Sequence, residues 1–352
     1  MVRRWLASLA AFACLGAAPA PQGVAMDVVL AEAPAPKLSD YRLFADAAGR
    51  QPNAGLTPYA LNTPLFSDYA EKFRFLYLPA GKAARYRADG AFDFPVGAVL
   101  VKTFAYPADL RRPSEKVRYV ETRLLIRKAG GWAAQAYVWN EAQTEAVLKR
   151  AGARMDLRFV DAQGQARQVD YAVPNQNQCK ECHQVDKQLS PIGPKAQNLN
   201  GDYPYPGGAE NQLAHWSRLK RLTGAPKPEG APRAARWDDP AAPTEARARA
   251  YLDANCAHCH NPRGIASNSG LFLNLGETRP AALGVGKGPV AAGRGAGDLK
   301  VGIEPGHPEA SILAYRMAST EPGVMMPELG RSLTHEEGLA LIRDYIRGMP
   351  RP

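Results

Sequence analysis

The chain has 352 residues, of which 45% are apolar and 22% charged. This balance excludes a disordered or fibrous protein and supplies apolar side chains for two or three cores. Lysine and arginine number 44 against 34 acidic residues, a formal charge of +10, and no apolar run reaches the roughly 18–20 residues of a membrane span.

The first residues read as an export signal. Arg3 and Arg4 form a basic start, Trp5–Gly16 is a short apolar stretch, and Ala18, Ala20, Ala25 and Ala31 offer small-residue cleavage positions. Residues 1–31 are assigned to the signal, and the mature chain is expected in the periplasm without a transmembrane span. Ala11-Phe12-Ala13 is a poor lipidation context, so no lipid anchor is expected at Cys14.

Residues 38–175 read as strand-rich. Arg118–Arg127 alternates apolar and polar positions, and Trp132–Asn140 is a second β-prone run. Lys128-Ala-Gly-Gly131 is a hairpin connection between them, and Phe92–Phe104 and Arg158–Tyr171 add further strands. A sandwich or small barrel is predicted. This region contains no histidine and no metal-ligand or nucleophile set, so no catalytic residue is assigned in it.

Export changes what the cysteines mean. Four lie in Cys179-Lys-Glu-Cys182-His183 and Cys256-Ala-His-Cys259-His260, both C-x-x-C-H, the attachment pattern of c-type haem. Two thiols three positions apart share one helical face and can form thioethers to both haem vinyls. The adjacent histidine then supplies an axial imidazole. Two covalent haem c groups are therefore expected, held by Cys179, Cys182, Cys256 and Cys259, with His183 and His260 on iron. Zinc is the competing reading, since zinc sites also use C-x-x-C.

Around the first motif, residues 176–235 form a haem-binding segment without any methionine between His183 and the second motif. His215 is the single histidine in that interval and the candidate second axial ligand. It is equally readable as a helix residue packed beside Trp216. The alternative for the iron is a five-coordinate site open to a small molecule. Residues 244–352 carry the second motif. Glu245–Asn255 is rich in helix formers, Thr334-x-x-Glu337 is a capping-box pattern, and Leu339, Ile342, Ile346 and Met349 recur at helical spacing. Pro322–Glu328 offers Met326, with Met325 as runner-up, as a thioether ligand opposite His260. His258, His307 and His335 read as solvent-facing, surface or capping residues. The two terminal helices around a haem resemble the small class I cytochrome c arrangement. The fold expected is multidomain α+β: a β-rich domain, then a mainly α-helical haem region ending in a class I cytochrome c-like domain.

Leu61–Ala70, Pro95–Phe104, Tyr137–Ala146, Pro191–Asn200 and Met325–Arg331 together resemble a family of exported di-haem c-type cytochromes without an assigned physiological role. The resemblance spans nearly the whole mature chain. It implies covalent haem at both motifs with His183 and His260 proximal, and it implies no substrate. Val285–Gly288 departs from it, lacking a cysteine that relatives carry.

The function expected is electron transfer between unidentified redox donor and acceptor proteins, with a di-haem peroxidase or other small-molecule oxidoreductase as the alternative. Basic residues are scattered, which excludes nucleic acid as a partner in this compartment. The positive balance is compatible with an acidic redox partner or with peripheral association with an anionic membrane.

Overall fold

A computed structural model describes residues 23–351 apart from positions 47 and 291. Arg3, Arg4, the apolar stretch 5–16 and Cys14 lie outside the described residues. Helix α1 (Met26–Leu30) opens the described chain. Nine strands follow: β1 (Leu56–Pro58), β2 (Glu71–Tyr77), β3 (Ala84–Arg85), β4 (Val99–Tyr106), β5 (Arg118–Lys128), β6 (Gly131–Trp139), β7 (Ala146–Leu148), β8 (Ala153–Val160) and β9 (Ala166–Val173). Six of them make one antiparallel sheet in the order β1-β2-β4-β5-β6-β7, and β8 and β9 form a separate hairpin.

The sheet is covered on both faces, and the period-2 pattern of its strands explains how. Tyr77, Val99 and Ile126 lie side by side across β2, β4 and β5, as do Phe75, Val101 and Leu124. This face packs on the N-terminal segment, where Val29, Tyr41 and Leu43 are fully buried. The chain from Ala25 is thus part of the β core, with its N–H on the Tyr41 carbonyl at 3.0 Å. The opposite face presents Leu76 and Leu100, which pack against Leu199, Leu213 and Trp216 from the segment after β9. Phe104 and Ala136, further along that face, pack under the β8–β9 hairpin through Phe159 and Tyr171.

Residues 176–235 fold onto the sheet rather than beside it. They hold three short helices, α2 (Gln176–Cys182), α3 (Ala196–Leu199) and α4 (Gln212–Arg218), and Leu222–Thr223 pairs in parallel with β3. Residues 244–351 hold α5 (Thr244–Asn255), α6 (Ile312–Ala318) and α7 (Glu336–Arg347), separated by long irregular connections. Ala248 and Leu252 of α5 pack on Leu339, Ile342 and Ile346 of α7.

The expected mainly α-helical haem region ending in a class I cytochrome c-like domain is corrected here, because strand outweighs helix and most helices are short. The cause is composition. Pro191, Pro194, Pro204 and Pro206 break helical hydrogen bonding after the first motif. Gly284, Gly286, Gly297 and Gly306, all at positive φ, set turns through the connection between α5 and α6. The β region is likewise one covered sheet with an added hairpin, where a sandwich or barrel was expected. The capping box at Thr334 does not form: its hydroxyl donates to the Ala318 carbonyl at 3.2 Å, and His335 precedes the first turn of α7.

Candidate functional site

The first motif is set by a cap. Asn175 Oδ1 accepts from the N–H groups of Asn177 and Gln178 at 3.0 and 2.9 Å, and Gln178 Oε1 accepts from the Asn175 N–H at 2.9 Å. This reciprocal pair satisfies orphan donors at the start of α2. The short helix then carries Cys179 and Cys182 one turn apart, with His183 at its C-cap. His183 Nδ1 donates to the Ser190 carbonyl at 3.2 Å, which fixes the ring and leaves Nε2 uncommitted. Burial holds this imidazole neutral, its pKa pushed down to about 4.

The second motif follows the end of α5. Asn255 accepts from the Phe66 N–H at 2.7 Å and donates to the Tyr251 carbonyl at 2.9 Å, so this helix end is tied to the β domain. Ser269 gives its hydroxyl proton to the Ala266 carbonyl at 2.6 Å, and its oxygen accepts from His260 Nδ1 at 3.3 Å. His260 thus resembles His183, with Nδ1 engaged and a pKa pushed down to about 4 by burial. This is the outer-sphere pattern that orients metal-bound histidines.

The two motifs meet. Ligand atoms of Cys182, His258 and Cys259 all lie within 4.8 Å of one another. The adjacent thiol of Cys259 and the His258 ring draw the Cys182 thiol down, while that of Cys259, which donates to the Glu181 carbonyl at 3.5 Å, is pushed up. His258, read from sequence as solvent-facing, has its Nδ1 buried without a partner.

Cys179, Cys182, His183, Cys256 and His258 line a cleft of about 530 Å³ between the sheet, α2 and the end of α5. That is within the range of cofactor sites, roughly 300–1,000 Å³. Met325 and Met326 enter the same cleft from the loop between α6 and α7. Arg331 secures this loop: its buried guanidinium donates to the carbonyls of Arg316, Ser319, Met326 and Leu333. Asp68 accepts from the N–H groups of Ser332 and Leu333 at 2.7 Å each, joining the loop to the β domain.

The structure therefore brings Cys179, Cys182, His183, Cys256, Met325 and Met326 to one cavity, with Cys259 and His260 adjacent but off its wall. His215 is elsewhere. It sits on α4 with Nδ1 2.6 Å from Glu210 and its ring stacked on Tyr205 at 3.4 Å, and it does not line the cleft. His335, read from sequence as a surface or capping residue, is half-buried in the cleft wall, stacked on Phe66 at 4.2 Å and 2.9 Å from the Tyr251 hydroxyl. Sequence reasoning passed over Arg331. Its place directly after the methionine loop was the available signal. No protein-family model matches the chain, and no curated protein or solved structure is detectably similar to it.

Proposed function

We propose that the chain is an exported di-haem c-type cytochrome that passes electrons between redox partner proteins. The observation that carries this reading is convergence. Two C-x-x-C-H motifs distant in sequence approach until Cys182, His258 and Cys259 lie within 4.8 Å, and most of their residues open into one cleft with Met325 and Met326. Cys179, Cys182, Cys256 and Cys259 would hold two haems, His183 and His260 would each present Nε2, and Met326 would offer its thioether on the His260 side. When bound, haem supplies one-electron chemistry at iron. The chain orients each imidazole through Nδ1, keeps both neutral by burial, and fastens the methionine loop through Arg331. His215 is not carried into this proposal, because it lies outside the cleft.

Export to the periplasm rests on Arg3, Arg4 and the apolar stretch after them. Because Ala25 and Val29 are buried in the β core, Ala18 and Ala20 suit a cleavage position better than Ala25 or Ala31. Among the described residues no helix is long and apolar enough to cross a membrane.

A second reading has its own observation. Three donors within 4.8 Å match a zinc site with an open fourth position. A pyridine haemochrome count on protein exported with haem-maturation machinery, alongside metal analysis, separates the two. Two covalent haems per chain are expected, falling to fewer in Cys182→Ala and in Cys259→Ala; stoichiometric zinc with no haem overturns the proposal. Peroxide turnover with a high-spin ferric spectrum would instead indicate the oxidoreductase.

A further inference from the structure

Three cations stand in register on the floor of the cleft. Arg74 of β2 is opposite Lys102 of β4, and Lys102 is opposite Arg123 of β5. All three line the cavity. On the same sheet face, one apolar cluster lies to one side of this row, through Leu76 and Leu100. To the other side lies Phe104, flanked in its own row by Lys72 and Glu121. Like charges directly opposite one another across a sheet are destabilising, and a buried charge without a partner is more so.

The nearby carboxylates answer only Arg123. Glu121 is bound by Arg123 and accepts from the Tyr171 hydroxyl at 2.6 Å. Asp253 faces Lys195 at 3.4 Å, Asp170 is paired with Arg154, and Asp68 is occupied by the backbone of Ser332 and Leu333. Among the described residues, Arg74 and Lys102 have no carboxylate partner. Arg74 is 8% exposed; its Nη1 donates to the Lys72 carbonyl at 3.2 Å, and its Nη2 is buried with no partner. Lys102 rests its ammonium 4.6 Å from the Phe104 ring centre, and Arg123 its guanidinium 4.4 Å from the same ring. Burial, with the other cations nearby, depresses Lys102 well below the ordinary lysine range. The row is beside the first motif: the Arg123 charge acts on Cys179, and that of Lys102 on His183.

We propose that Arg74, Lys102 and Arg123 form a carboxylate-binding row whose occupant in the loaded protein is a propionate of the first haem. The proposal rests on the di-haem reading and extends it to named residues. A carboxylate here would give Arg74 Nη2 an acceptor and Lys102 a counter-charge. It would also explain why three basic residues are kept in line beside the apolar Leu76–Leu100–Leu125 row.

The test uses holoprotein, with haem counted first. Arg74→Met and Lys102→Met are compared with wild type by spectroelectrochemical titration and thermal unfolding, with Lys102→Arg as the charge-conserving control. With two haems bound, both Met variants are expected to lower the potential of one haem only and to lower the melting temperature, and Lys102→Arg to restore both. Unchanged potentials with a raised melting temperature, the behaviour of an unpaired buried cation removed, overturn the proposal while leaving the di-haem reading intact. Succinate at constant ionic strength separates the source. A saturable spectral shift in wild type that is lost in Lys102→Met would assign the row to a free carboxylate and overturn the propionate as occupant. Absence of haem refutes the underlying reading instead.

Discussion

Replacing Arg331 by Met tests whether the methionine loop is held for a purpose. The guanidinium makes five N–H···O contacts to four carbonyl oxygens, at 2.7, 2.9, 3.2, 3.2 and 3.3 Å. Only the two shortest have the length of strong charge-assisted bonds. At about 1.5 kcal/mol each they contribute about 3 kcal/mol. Burial of the guanidinium opposes this, as its depressed pKa shows, and methionine removes that opposing cost while filling similar volume. A net loss of about 2 kcal/mol remains, which in a protein of this size lowers the melting temperature by about 3 °C. Stability is one readout, and the other is chemical. If Met326 is an iron ligand, freeing the loop should abolish the red methionine-to-ferric-iron charge-transfer band and lower the potential of that haem. Arg331→Lys, which keeps the charge without the planar fork, should fall between. A variant that keeps both the band and the melting temperature would refute the claim that Arg331 positions the loop.

Met326→Ala should remove the same band with little change in stability, and Met325→Ala should spare it; the opposite pattern assigns the ligand to Met325. Trp216→Ala should destabilise by about 3–5 kcal/mol without altering the haem count. Trp216 is fully buried, 5.6 Å from the Tyr59 ring and 6.5 Å from Phe92, and urea titration reads the loss. His335 bears on acid stability. Burial depresses its folded pKa to about 4 from an ordinary 6.5. Above 6.5 the residue is neutral in both states and its contribution is full; as pH falls toward 4 only the unfolded chain takes the proton, and roughly 3 kcal/mol is lost. His335→Gln should therefore lose less stability than wild type between pH 7 and pH 4.5, and equal losses would refute the assignment.

What was legible in the sequence is what local pattern determines. The hairpin at Lys128–Gly131 is present because two β-prone runs flank a Gly-containing turn, and Lys128 pairs with Gly131. The helix over Glu245–Asn255 is observed as Thr244–Asn255, because its composition favours helix and Pro243 immediately precedes it. The two C-x-x-C-H motifs stand out in the sequence by their spacing, whereas the approach of Cys182 to His258 and Cys259 does not. What was not legible depends on long-range pairing. Nothing local marks Arg74, Lys102 and Arg123 as neighbours, since their alignment is a matter of strand register. His335 follows a plausible capping sequence, yet tertiary contacts with Phe66 and Tyr251 bury it. His215 was selected as the only histidine in its interval, and Glu210 and Tyr205 hold it away from the cleft.

These placements bear on the role of the β region. A domain appended to an electron carrier would keep its own faces closed and meet the haem segments at a rim. Here Asn255 at the end of α5 accepts from Phe66, Asp68 binds the segment after the methionine loop, and Leu222–Thr223 extends from β3. The Arg74–Lys102–Arg123 row is one wall of the cavity into which the first motif opens. The sheet is thus a wall of the site, and its strand register sets the charge facing the first motif. In the di-haem reading proposed above, ligand choice alone would not fix the two potentials: the positive row beside His183 would favour the reduced state of the nearer haem. A first haem lacking a thioether ligand could be lifted toward the potential of the second, narrowing the gap that ligation alone would create. Neutralising Lys102 should widen that gap, whereas neutralising an exposed basic residue such as Arg343 of α7 should leave it unchanged.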